Sequence, residues 1–215
     1  MAQAVIRALA VTVSNRAAAG IYPDRSGPVL VELLRSAGCA VVDGPLVIPD
    51  GEPVEAALRD AVAQSYDVVV TTGGTGLTPL DLTPEMTRRV LEREIPGIAE
   101  ALRAAGAAAG VPAAILSRGV AGVAGRTLVV NLPGSTGGVR DGMAVLAPVL
   151  GHAVSQIQGG DHVRADSGAE RLPAPAWRQP PDQGMMEWWD VCAAGRLPSP
   201  SRICWGNRSS CARCG

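Results

Sequence analysis

Residues 71–85, TTGGTGLTPLDLTPE, place three glycines, five threonines and Asp81 in one short stretch. Gly73, Gly74 and Gly76 lack a Cβ, so backbone N–H groups can turn inward and approach an anion closely. Thr71, Thr72 and Thr75 add hydroxyl donors. Such a loop holds a phosphate without a lysine, although a plain strand-to-loop turn uses the same residues. Asp50 and Asp81 stand 31 positions apart. Two carboxylates beside a phosphate suit magnesium, a hard cation that takes oxygen ligands and keeps several waters. Singly, Asp50 reads as a turn residue after Pro49 and Asp81 as an acid at a helix entry. Together with the glycine loop they point to function. A second turn, NLPGS at 131–135, offers further donors, and Ser135 either binds an anion or caps the following turn.

The elements that would position these residues alternate. Residues 5–13, VIRALAVTV, suit a buried strand. A helix follows from Ser26, with Val29, Leu33 and Leu34 on one face and Gly38 at its end. AVVDGPLVI, 40–48, is a strand interrupted by Gly-Pro, and 53–65 is helical. Residues 66–72, YDVVVTT, form a short apolar strand of the kind buried on both faces of a parallel sheet. Thr83-Pro84-Glu85 starts a helix, with Thr83 as its capping hydroxyl, that runs to about Arg93. Pro96-Gly97 breaks the chain before an Ala-rich helix, 98–109. Strands are expected at 112–118 and 126–132. The closing helix, 139–157, places Val139, Met143, Leu146, Leu150, Val154 and Ile157 at helical spacing. This order defines an α/β fold with a mainly parallel sheet. Ligands then sit beyond the carboxyl ends of the strands, where Asp50, residues 71–81 and residues 131–138 all fall.

Composition narrows the chemistry. All 19 basic residues are Arg, which excludes a Schiff-base lysine, a pyridoxal-phosphate site and a P-loop lysine. Basic and acidic side chains number 19 and 20, so nothing favours nucleic acid or a membrane surface as a partner. The longest uncharged stretch, 142–160, contains Pro148, His152, Ser155 and two Gln, which a membrane span avoids. The N-terminal residues read as a strand, not a signal peptide. A soluble, cytoplasmic protein is expected.

Six ordered motifs carry a resemblance: Pro49-Asp50, TTGGTG with D-x-TPE, PGIAE at 96–100, LSR at 116–118 and NLPGS. Over roughly residues 5–162 the chain resembles the molybdopterin-binding domain family of molybdenum-cofactor biosynthesis, most of all its molybdopterin adenylyltransferases. The resemblance implies a three-layer αβα domain, assembled as a homotrimer. It implies Mg2+, with ATP and molybdopterin as substrates. The terminal phosphate of molybdopterin attacks the α-phosphate of Mg-ATP, giving adenylylated molybdopterin and pyrophosphate. The family's acids match Asp81, for magnesium and phosphate orientation, and Asp50, in support at the metal and adenylyl end. Its binding loop matches Gly73, Gly74, Thr75 and Gly76, and NLPGS adds Pro133, Gly134 and Ser135. Ser14 matches a strand-end serine, and Asp24, Ser26 and Gly27 match a D-x-SG loop. Leu80 departs from the pattern, where relatives more often carry a polar or basic residue. The resemblance further implies handover to a protein that inserts molybdenum. A non-catalytic pterin-binding or scaffold homologue of the same fold is the alternative.

Other residues read more plainly. His152 suits a structural role, His162 and the Arg88-Arg89 pair a solvated face, and Cys39 a small buried hydrophobe. Arg118 and Arg140 flank ligand loops and are candidates to meet phosphate. All four Trp and four of five Cys lie beyond residue 176. The domain is therefore expected over 1–163, with 164–215 an unstructured C-terminal tail. There Cys192, Cys204, Cys211 and Cys214 offer four thiolates, but only the last two have C-x2-C zinc spacing.

Overall fold

The computed structural model describes residues 5–160; the expectations for the tail, its cysteines and His162 lie outside them. The element order is β1 (Arg7–Val13), α1 (Asn15–Ala18), α2 (Ser26–Ser36), β2 (Val41–Ile48), α3 (Glu52–Ala63) and β3 (Val68–Thr72). There follow α4 (Thr83–Arg88), β4 (Arg93–Glu94), α5 (Pro96–Ala108), a 3₁₀ helix (Pro112–Leu116), β5 (Ala121–Ala124), β6 (Thr127–Leu132) and α6 (Thr136–Ile157). The strands form one sheet in the order β2-β1-β3-β6-β5-β4. β2, β1, β3 and β6 run parallel, while β5 and β4 are antiparallel additions at one edge.

Alternation along the strands builds two cores. Ala8, Ala10, Val68, Val70, Leu128 and Val130 face one way, onto Leu30 and Leu34 of α2 and Val139, Met143, Leu146 and Leu150 of α6. Leu9, Val11, Val13, Val69 and Val129 face the other, onto Val54 and Leu58 of α3 and Met86 of α4. Side chains of a strand alternate between faces, so each central strand feeds both cores. The fold is the expected three-layer αβα arrangement. No helix among the described residues is long and apolar enough to cross a membrane.

Several boundaries differ from the sequence reading. Residues 112–118 are not a strand: Pro112 opens a 3₁₀ turn instead. The strand is the small-residue run AGVA at β5, where a Cβ on Gly122 would lie 2.4 Å from the Arg93 carbonyl oxygen. α4 ends at Arg88, which frees Arg93–Glu94 to pair with Gly122 and Val123. Pro96 does not break a helix; it begins α5, where its missing N–H is no loss. α6 starts at Thr136 under a Ser135 cap, and Ser14 caps a short α1 within the expected loop. The Gly-Pro interruption of β2 is a register shift, opposite Leu9 to Val11, that leaves the strand continuous.

At the amino ends of the parallel strands, Tyr66 Oη donates to Asp43 Oδ2 at 2.7 Å. Arg7 pairs with the same carboxylate at 3.2 Å and lies 3.9 Å from the centre of the Tyr66 ring. The Tyr66 hydrogen bond, aided by Arg7, holds Asp43 below the ordinary carboxylate range. Cys39 is buried under α2, and desolvation, reinforced by Asp67, pushes its thiol up to about 11.

Leu146→Ala is expected to lower the unfolding free energy in urea by about 2–5 kcal/mol. Exposed Val149→Ala is expected to change it by less than about 0.5 kcal/mol. Asp43 bears on pH. Its depressed folded value stabilises the native state above the unfolded value, about 3.9, and that stabilisation is lost as pH falls through the folded value. Asp43→Asn is therefore expected to be less stable at neutral pH and to lose less stability on acidification, read from melting temperatures between pH 7 and 3.

Candidate functional site

β3 lies between β1 and β6. β1 leads to α2 on one face of the sheet and β6 to α6 on the same face, while β3 leads to α4 on the opposite face. Neighbouring strands that send their chains to opposite faces leave a crevice at their carboxyl ends. Here β3 has one on each side.

The first crevice is a polar cleft of about 920 Å³ between the ends of β1 and β3. Ser14, Asp50, Gly73, Gly74, Asp81, Gly134 and Ser135 all line it. The second, about 510 Å³, is more apolar and is lined by Thr75, Gly76, Pro133, Leu102 and Leu116. Ser135 borders both clefts. The ten residues singled out from the sequence therefore gather at one end of the sheet but divide between two cavities.

Close backbone approach makes the dividing wall. Gly73 has φ +105° and its N–H donates to the Leu132 carbonyl at 3.1 Å. A Cβ there would lie 2.2 Å from the Val13 carbonyl oxygen. A Cβ on Gly134 would lie 3.2 Å from the Gly73 Cα. Thr72 Oγ1 donates to the Pro133 carbonyl at 2.7 Å and ties the two turns together. Gly74, at φ +64°, leaves room for Asp50: a Cβ would meet Asp50 Oδ2 at 2.2 Å and Thr83 Oγ1 at 2.1 Å.

The two acids differ in how they are held. Asp50 Oδ1 accepts from Gly51 N–H at 2.7 Å and Thr83 Oγ1 at 3.0 Å, and Oδ2 accepts from Leu82 N–H at 3.1 Å. Asp50 thus caps α4 from across the chain, and Thr83 is the first helical residue rather than the expected cap. Asp81 Oδ2 accepts from Thr78 N–H at 3.0 Å and Thr78 Oγ1 at 2.7 Å. Its Oδ1 takes no hydrogen bond among the described residues. No cluster of three or more His, Cys, Asp or Glu suited to a metal occurs among the described residues. Both acids line the polar cleft, and of the two only Asp81 keeps an oxygen without a hydrogen bond among the described residues; that oxygen fits magnesium, which is held by one or two carboxylates and completed by phosphates and water.

Ser135 accepts from Gly138 N–H at 3.0 Å, so it caps α6 while bordering both clefts. Ser14 caps α1 and lies 3.2 Å from the Tyr22 hydroxyl. Asp24 Oδ1 accepts the Ser26 and Gly27 N–H groups, each at 3.0 Å, and Oδ2 accepts Thr12 Oγ1 at 2.7 Å. Arg16 and Arg25 also line the polar cleft, and neither pairs with an acid among the described residues. The sequence reading missed both. The signal was the loop after the first strand, SNRAAAGIYPDRSG, which joins cations to a strand end. Arg118 and Arg140, weighed as phosphate contacts, line neither cleft. The guanidinium of Arg118 is taken up by the protein, and Arg140 reaches the Thr136 carbonyl at 3.4 Å.

A mainly parallel sheet with two crevices astride one strand, and two acids lining the more polar one, is the frame these residues build. The family model described as "Probable molybdopterin binding domain" matches residues 9–152, and the chain belongs to that family. It is 37% identical over 161 residues to a molybdenum cofactor biosynthesis bifunctional protein of Synechococcus elongatus, covering 75% of this chain and 50% of that relative. The chain thus spans about half the length of the bifunctional relatives it matches. It is 34% identical over 149 residues to a molybdopterin adenylyltransferase of Helicobacter pylori, covering 68% of this chain and 84% of the relative. The solved structure of the molybdopterin biosynthesis Mog protein from Mycobacterium ulcerans is 51% identical, with a TM-score of 0.67, and covers 71% of this chain and 99% of its own.

Gly74→Ala is expected to lose about 1–3 kcal/mol of stability, because a positive φ and two oxygens oppose the added methyl. Gly97→Ala, in the first turn of α5 with open space around it, is expected to gain about 0.4–1 kcal/mol. Urea denaturation of both variants checks the contrast.

Proposed function

We propose that this chain acts in molybdenum cofactor biosynthesis as a molybdopterin adenylyltransferase. The observation that carries the reading is the pair of clefts meeting at one glycine wall, with both acids on the polar side. A nucleotide triphosphate suits the polar cleft, where Arg16 and Arg25 supply the charge that lysine supplies elsewhere. A flat heterocycle suits the second cleft, where Ala99, Leu102, Ala114 and Leu116 give apolar walls and Thr75, Ser117 and Asp141 give polar edges. The phosphate arm of the pterin then reaches the nucleotide over Gly76 and Ser135.

In the reaction a terminal phosphate oxygen of molybdopterin attacks the α-phosphorus of ATP. The bond from that phosphorus to the bridging oxygen breaks, and pyrophosphate leaves. Catalysis of this kind is mainly positioning and charge stabilisation. The glycine wall brings the two substrates within reach, and the N-terminus of α6 presents N–H groups and a positive dipole end to phosphate. Asp81, through its free Oδ1, would hold magnesium, with Asp50 supporting that end of the site. Bound there, magnesium would neutralise developing charge on the phosphates. Trimeric assembly and handover to a molybdenum-inserting protein belong to the same proposal.

Purified protein incubated with molybdopterin and Mg-ATP is expected to yield adenylylated molybdopterin and pyrophosphate, detected by chromatography. Asp81→Asn is expected to lose about 10²–10³-fold in turnover with an unchanged melting temperature. Pterin binding without product would support the non-catalytic homologue instead, and near-normal turnover in Asp81→Asn would remove its assigned role.

A further inference from the structure

Asp81 sits on a loop, residues 76–81, that has little packing of its own: Leu77 and Leu80 are both largely exposed. Yet this loop presents a carboxylate whose position the proposed reaction depends on. Thr78 closes the loop on Asp81 from within, which leaves open what ties the closed loop to the rest of the fold.

Arg118 supplies that tie. Its backbone N–H donates to the Thr75 carbonyl at 2.9 Å. Its Nε donates to the Gly76 carbonyl at 2.7 Å, and Nη2 donates to the Asp81 carbonyl. Nη1 pairs with Glu85 on α4. One side chain therefore grips the loop at its first residue and its last, and anchors both to the helix that follows. The rigid planar fork of guanidinium matches several acceptors at once, which a lysine ammonium on a flexible stem does not. Glu85 in turn depends on Arg118, since its Oε2 is buried and takes no hydrogen bond among the described residues.

We propose that Arg118 is the positioning residue for Asp81, acting through the loop backbone and not by contact with phosphate. This inference rests on the adenylyl-transfer reading for its catalytic consequence but not for the clamp itself. The side chain of Arg118 is about one-third exposed, so its replacement leaves the cores intact. The clamp and the chemistry can therefore be read separately.

Hydrogen exchange of the full chain without substrates reads the clamp. In Arg118→Met, amides of residues 75–82 are expected to exchange at least about tenfold faster, with those of β1, β3 and β6 unchanged. Unchanged protection in the loop overturns the proposal. Should the Met variant fold poorly, Arg118→Lys carries the same test, because it keeps the charge beside Glu85 and loses the fork. Turnover reads the consequence. Both variants are expected to lose about 10²-fold in kcat while KM for each substrate moves by less than about threefold, and guanidinium ion is expected to restore part of the activity of Arg118→Ala. Exposed Arg126→Met, at the opposite end of β6, is the control. Full activity of Arg118→Met alongside an active wild type overturns the proposal. A wild type that binds substrates and makes no product overturns the adenylyl-transfer reading instead, and the exchange result still decides the clamp.

Discussion

Three parallel strands converge at Gly73 so closely that no side chain fits between them. The oxygen of Val13 at the end of β1 lies where a Cβ would be, and Gly134 after β6 presses from the other side. Everything at the site follows from that approach. The chain leaving β3 must turn sharply, at positive φ, toward the face opposite its neighbours. That reversal opens a crevice on each side of the strand, with Gly73, Gly74 and Gly134 lining the polar one and Thr75, Gly76 and Pro133 the other. Hydrophobic burial sets the sheet in place, but it is this contact that shapes the end of the sheet into two cavities rather than one.

α4 is the second organising element, although it has only six residues. A helix this short has little stability of its own, and it is fixed from outside. Asn131, buried in β6, donates to Thr71 Oγ1 at 3.0 Å and Thr87 Oγ1 at 3.1 Å, and accepts from Val120 N–H at 3.1 Å. Thr87 Oγ1 donates in turn to the Thr83 carbonyl at 2.7 Å, and Thr83 Oγ1 donates to Asp50. A buried hydrogen-bonded line thus runs from the middle of the sheet to one acid. On its other side α4 carries Glu85 and, through Arg118, the loop of the other acid. Fully satisfied buried networks of this kind specify one arrangement strongly, because each broken link leaves a polar group unpaired.

Much of this architecture was legible in the residues. VIRALAVTV, DVVVTT and TLVVNL announce buried parallel strands through their β-branched content. The spacing of Val139, Met143, Leu146 and Leu150 marks the core face of α6. Glycines and acids placed at strand ends by the pattern do gather at one end of the sheet, around the two cavities. What stayed hidden was of two kinds. β5 is AGVA, whose strand identity comes from its neighbours: Gly122 is needed for close approach to Arg93, and small residues carry no strand preference of their own. The other kind is pairing across the chain. Asp50 caps a helix 33 positions away, Asp24 takes the Ser26 and Gly27 amides at the start of α2, and Arg118 turns inward to carbonyls. Local spacing holds no record of such partners. It likewise brought the glycine loop and NLPGS to one end of the sheet without showing that the folded chain parts them into two cavities.

A wall made of main chain has an evolutionary corollary. Side-chain replacement can enlarge or narrow an ordinary partition between ligands, but Gly73, Gly74 and Gly134 present nothing to trim and leave no room to add. Drift in ligand preference is therefore confined to the outer rims, Arg16 and Arg25 on one side and Leu102 and Leu116 on the other. The two rims share only Ser135 and its neighbouring turn. Each rim can change without disturbing the other, so on the adenylyl-transfer reading the heterocycle side and the nucleotide side could diverge separately across a fixed backbone.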